Sequence, residues 1–140
     1  MIRFFFLFLI TLSLISYAKE IEILSDEPGK GISIVNHSKI TVHYKGFLEN
    51  GTLFDSSYKK EKQFQFQIGT NQVIEGWEIG LIGMKIGGKR TFIIPSDLAY
   101  GEKGAGDLIP PNSKLIFEVE IIDIKPPSYK MVKVHELKKK

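Results

Sequence analysis

One stretch limits the possible folds more than any other. From Val73 to Tyr100 the chain reads VIEGWEIGLIGMKIGGKRTFIIPSDLAY and holds the only tryptophan, Trp77. Val73, Ile74, Trp77, Leu81 and Met84 recur at intervals of three and four, the period of a helix with one buried face. The spacing predicts a helix over Ile74 to Ile82, stopped by Gly87-Gly88, with a strand at Arg90 to Ile94. Elsewhere the apolar pattern has period two. Ile40, Val42 and Tyr44 alternate with Thr41, His43 and Lys45 within Lys39 to Leu48. Phe64, Phe66 and Ile68 alternate with glutamines, and Leu115, Phe117, Val119 and Ile121 share a face of Lys114 to Ile124. Asn50-Gly51 predicts a type I′ hairpin turn, in which both central residues take positive φ, with a return strand through Thr52 to Asp55. Pro126-Pro127 ends the last strand. Five or so strands with one short helix and little βαβ alternation give an α+β domain on an antiparallel sheet, with the helix as cover.

The chain of 140 residues suits one domain, and 43% hydrophobic and 25% charged residues are ordinary for a globular protein. Without cysteine it has no disulfide framework and no thiolate metal site. His37, His43 and His135 are not at metal-ligand spacing, so no metal is expected. The chain has no Gly-x-Ser-x-Gly, and its glycine loop lacks the Gly-Lys-Ser/Thr ending of a phosphate loop, which argues against nucleotides.

Met1 to Ala18 has a basic Arg3, an apolar run from Phe4 to Ile15, and small residues at Ser16 and Ala18. This is the pattern of a cleaved export signal, with a mature chain starting at Lys19. An uncleaved anchor, and with it membrane contact, is the other reading, though the run is short of the roughly 20 residues a spanning helix needs. Export to periplasm, extracellular space or endoplasmic reticulum follows from the first reading. Asn36 and Asn50 head glycosylation sequons that matter only in a eukaryote. Residues 19–30 are a polar, extended lead-in with a Glu27-Pro28-Gly29 turn signal. Lys125 to Lys140 carries six lysines and one acid, against twelve basic and fifteen acidic groups in 19–124. Such a tail is a solvated end or a contact for anionic lipid or nucleic acid; no nucleic-acid partner is expected of the domain itself.

Three blocks, VHYKGFLENGTLFDSS from Val42, the Trp77 stretch, and YGEKGAGDLIPPNSKLIFEVEI from Tyr100, together resemble an FKBP-type peptidyl-prolyl cis-trans isomerase over Gly31 to Ile124. The resemblance implies a curved antiparallel sheet wrapped around a short helix. It implies rotation of X-Pro bonds in polypeptide clients, binding of tacrolimus-type macrolides, and no cofactor. It places Trp77 at a pocket floor and Tyr44, Phe54, Phe64, Val73, Ile74 and Phe117 in the walls. Asp55 and Tyr100 form the polar rim, the Ile74 N–H holds a substrate carbonyl, and Ile109 closes the cup from a mobile flap containing Gly101, Gly104 and Gly106. Each of these has a plainer alternative: aromatics at alternate strand positions are usually core, as Phe66 is read here, and Asp55 is a natural turn residue before Ser56-Ser57. The chain departs from the family at Gln72, where a glutamate is frequent, at Ala105, where some members have histidine, and at Lys60, where some have an arginine that pairs with the pocket aspartate. A non-catalytic module that holds proline segments is the alternative function. The segment before Gly31 is too short for a helical dimerisation domain, so a monomer is expected.

Overall fold

A ten-residue strand, Lys39–Leu48, whose burial alternates as far as Gly46, makes the spine of the fold. The computed structural model describes residues 20–128; the export signal expected at residues 1–18 and the tail from residue 129 lie outside the described residues. Along the chain come β1 (Glu22–Glu27), β2 (Lys30–Ser33), β3 (Lys39–Leu48), β4 (Leu53–Ser56), β5 (Phe64–Gln67), α1 (Glu75–Gly80), β6 (Lys85–Ile86), β7 (Lys89–Ile94) and β8 (Leu115–Lys125). The main sheet runs β1-β7-β8-β3-β4, and β5 also pairs with β3. All pairings are antiparallel. The first half of β3 pairs with β5 and the second half with β4, so these two short strands share one side of it. A separate ribbon joins β2 and β6. This is the expected architecture, a sheet closed over one short helix.

Ile40, Val42 and Tyr44 of β3 and Leu115, Phe117, Val119 and Ile121 of β8 face the core. A register shift opposite Thr41 and Val42 leaves Ile122 as an extra residue, so that Ile124 is buried three positions after Ile121.

α1 is only six residues long, and its glycines explain both its shortness and its place. Glycine is a poor helix former, but a Cβ on Gly76 would lie 2.4 Å from Ile94 Cγ2, and one on Gly80 2.9 Å from the Phe92 ring. The pair lets the helix backbone lie against β7. Leu81 and Met84 are buried from the turn after the helix, which accounts for the longer helical period in the sequence. Gly87-Gly88 does not stop the helix: Gly83, at φ +84°, follows its last turn, and Gly87, at φ +80°, turns β6 into β7. The Asn50-Gly51 turn is also not type I′, because only Gly51 has positive φ. Leu48 O accepts from Gly51 N–H at 2.9 Å and Asn50 Oδ1 from Thr52 N–H at 3.0 Å, as in a three-residue loop with a bulge glycine.

Residues 22–27 of the lead-in form an edge strand of the main sheet. All six are exposed, so no alternation announced it. Arg90 ties this edge down. It donates to both Asp26 oxygens at 3.1 and 2.9 Å and to the Gly80 carbonyl at 2.7 Å, joining β1, β7 and the end of α1. We predict that Arg90→Ala lowers stability by about 1–3 kcal/mol, the range for charge-assisted hydrogen bonds. A urea midpoint and faster amide exchange confined to β1 are the readouts.

Candidate active site

Trp77 projects from α1 into a cage of rings. It is 4% exposed and meets Tyr44 and Phe117 edge-on, each at 5.2 Å between centroids, with Phe66 at 5.5 Å and Phe64 at 6.2 Å. Edge-to-face contacts of this kind add to plain area burial. The indole Nε1 is buried and has no hydrogen-bond partner among the described residues. Above the ring opens a small cleft of about 160 Å³. Tyr44, Phe54, Phe64, Val73, Ile74 and Phe117 form its walls and Asp55 and Tyr100 its polar rim, with Gln72 at the edge.

Two adjacent wall residues need a device to face the same way, because successive strand residues point to opposite faces. Gly46 pairs with Asp55 but Phe47 with Leu53, which leaves Phe54 as an extra residue in β4. This bulge turns both Phe54 and Asp55 into the cleft.

Asp55 is held from three sides. Tyr44 OH donates to Oδ2 at 2.7 Å, Lys60 Nζ sits 2.6 Å from Oδ1, and the Ser56 N–H donates to Oδ1 at 2.9 Å. Lys60 therefore reaches the carboxylate, and Asp55 is a residue of strand β4 whose side chain accepts from its neighbour rather than a turn residue. Burial alone would raise the Asp55 pKa. The hydrogen bonds from Lys60 and Tyr44, with the lysine's charge, overcome it and hold the pKa below the ordinary value. A depressed carboxylate pKa stabilises the fold above the unfolded-state value of about 3.9. That contribution is lost as pH falls through the lower folded-state value. Asp55→Asn is therefore expected to flatten the acid limb of the stability–pH curve below about pH 4 and to leave its neutral shape unchanged, as read by denaturation midpoints across pH.

Tyr100 is 41% exposed, and its hydroxyl has no partner among the described residues. Burial raises its pKa, and the Asp55 charge adds to the shift, so the phenol is a protonated donor near neutrality. The Ile74 N–H, just before α1, likewise makes no hydrogen bond within the described residues. Gln72 uses its side-chain oxygen on the Gln67 N–H at 2.9 Å.

The structure brings together nine of the ten expected site residues and leaves out Ile109. That side chain is 5% exposed in the core cluster and does not line the cleft. Its backbone exchanges two hydrogen bonds with Ala105 at 2.9 and 3.1 Å, and the Asn112 N–H donates to the Gly101 carbonyl at 2.9 Å. The glycine loop expected as a mobile flap is thus bonded across itself. A Cβ on Gly104 would lie 2.2 Å from the Ile109 carbonyl oxygen, which explains the glycine there. Phe66 is core, as read from the sequence.

One residue that shapes the site from behind its walls escaped the sequence reading. Gly46 lies inside β3, where a Cβ would stand 2.7 Å from Phe54 and 2.8 Å from Phe117. A glycine inside a strand marks such a close approach, and that was the available signal. Gly46→Ala should push both rings into the cleft and cost about 1–3 kcal/mol of stability, with weaker ligand binding measured by titration.

Comparison with known proteins agrees with this geometry. The family model described as FKBP-type peptidyl-prolyl cis-trans isomerase matches residues 31–122. The FK506-binding protein of Neisseria meningitidis serogroup A is 50% identical over 98 residues, covering 70% of this chain and 90% of that protein. FK506-binding protein 2 of Dictyostelium discoideum is 55% identical over 86 residues, 61% of this chain and 65% of its own length. The crystal structure of AtFKBP13 superposes with a TM-score of 0.70 at 42% identity, covering 75% of this chain and 93% of that one. An aromatic cleft floored by a tryptophan, in a sheet wrapped on a short helix, with the family match over residues 31–122 and 50% identity over 98 aligned residues, leads to one assignment: the chain belongs to the FKBP-type peptidyl-prolyl cis-trans isomerase family.

Proposed function

We propose that this chain accelerates cis-trans rotation of X-Pro bonds in exported polypeptides as they fold, acting as a monomer in the compartment to which residues 1–18 direct it. The cleft over Trp77 is the observation that supports this most. The barrier to amide rotation is about 18–20 kcal/mol and arises from resonance. As the bond twists, resonance is lost, the nitrogen becomes pyramidal and the amide less dipolar. An apolar cup disfavours the dipolar planar form more than the twisted one, and such differential stabilisation is what raises a rate. The proline ring rests on Trp77 between Tyr44, Phe64 and Phe117. Tyr100 OH and the Ile74 N–H, both without partners among the described residues, donate to carbonyls of the flanking chain and fix it while the bond turns. Asp55 stands beside the rotating amide with its geometry set by Tyr44 and Lys60. The step needs no nucleophile, metal or cofactor.

The same cup suits the FK506-type macrolide named in its relatives, and we expect tacrolimus to occupy it. Uncatalysed isomerisation takes tens to hundreds of seconds, so a client with a slow, proline-limited refolding phase reports activity. The phase should shorten with catalytic amounts of the protein and return with tacrolimus. Help that persists with the cleft blocked would instead favour a proline-segment chaperone. Mass spectrometry of the natural protein tests export: a chain starting at Lys19 supports cleavage, and one starting at Met1 contradicts it.

A further inference from the structure

A second concavity adjoins the cleft and shares Phe54 and Asp55 with it. Its other walls are Leu53, Ser56, Lys59 and Lys60. The two lysines differ in state. Lys60 is engaged, bridging Asp55 and Tyr44. Lys59 has no ion pair or side-chain hydrogen bond among the described residues. Its backbone is nevertheless fixed, since the turn around it is closed by hydrogen bonds from Lys60 N to Ser56 O, Glu61 N to Tyr58 O and Lys62 N to Ser57 O. The Lys59 N–H itself lies 3.4 Å from Ser56 Oγ. Asp55, the only acid lining the concavity, is already neutralised by Lys60. Beyond Lys60, the Tyr58-to-Lys62 turn adds Lys59 and Lys62 against Glu61. A client chain leaving the cleft past Phe54 and Asp55 therefore enters a positive field with one unused ammonium.

We propose that this concavity is a subsite for client residues flanking the proline, and that Lys59 makes it prefer an acidic side chain. The inference rests on the cleft being the proline site. Lys59 is then a specificity-determining residue and takes no part in the rotation itself.

The test is a set of hexapeptides around one Ala-Pro bond, carrying Glu, Gln or Lys in turn at each other position. Isomerisation rate and affinity, the latter from Trp77 fluorescence, are measured for the parent chain, Lys59→Gln and Lys59→Glu. At one or more positions the parent should favour Glu over Lys by roughly 2–5-fold, the size expected of exposed ion pairs, with the preference shrinking as salt is added. Lys59→Gln should abolish the preference and Lys59→Glu reverse it, while Gln peptides turn over at the parental rate. Equal rates and affinities across the set would overturn the subsite, and so would a preference that survives Lys59→Glu. Charge-dependent affinity that reverses in Lys59→Glu, without turnover of any peptide, would uphold the subsite and remove the isomerase reading instead.

Discussion

Trp77→Ala is expected to remove about 3–5 kcal/mol of folding stability, the usual cost of deleting a buried indole, and to leave no measurable isomerisation. The ring is 4% exposed and touches four other aromatic rings, so its loss opens a void at the centre of the core and removes the cleft floor together. The unpartnered Nε1 softens the cost slightly, since a buried donor without a partner is itself unfavourable. Trp77→Phe separates the two effects. It should recover much of the stability while keeping a smaller floor, with activity between parent and alanine. Urea unfolding gives the first quantity and peptide isomerisation the second. A stable Trp77→Ala protein with parental turnover would mean that the proline lies elsewhere.

Asp55→Ala is expected to lower kcat/KM for X-Pro peptides by tenfold or more, equivalent to about 1.4 kcal/mol of barrier, with a smaller effect on stability. Its partners are placed to tolerate the loss: Lys60 is largely exposed, and it keeps a 3.4 Å contact with Tyr44 OH. Asp55→Asn keeps an acceptor for that hydroxyl but not the charge. If it behaves as alanine does, the charge matters; if it behaves as the parent does, the hydrogen bond does. Unchanged turnover in both variants would make Asp55 a structural residue of β4 and no more.

Much of this site was legible because alternation assigns residues to faces and the family resemblance then assigns a face to the cleft. Tyr44, Phe64 and Phe117 sit at inward positions of their strands, which alone reads as core; the resemblance is what made them cleft walls. Phe54 and Asp55 could not be placed together that way, because neighbours alternate; the family resemblance supplied them, and the bulge in β4 is the physical reason they meet. The helix looked longer than it is because Leu81 and Met84 continue its apolar period through a turn held by Gly83. Strand β1 left no trace in the pattern because it is an exposed edge whose only signature is its pairing with β7. Ile109, which the resemblance placed over the cup, instead packs in the core cluster, where its backbone pairs with Ala105.

The most direct test of the central claim is exchange NMR on a short X-Pro peptide, without a coupled protease, with the purified chain and a titration of tacrolimus. Catalysed cis-trans exchange is expected, falling to the uncatalysed rate as the macrolide fills the cleft, in proportion to occupancy. A folded protein that leaves the exchange rate unchanged, or a catalysed rate indifferent to a bound macrolide, would contradict it.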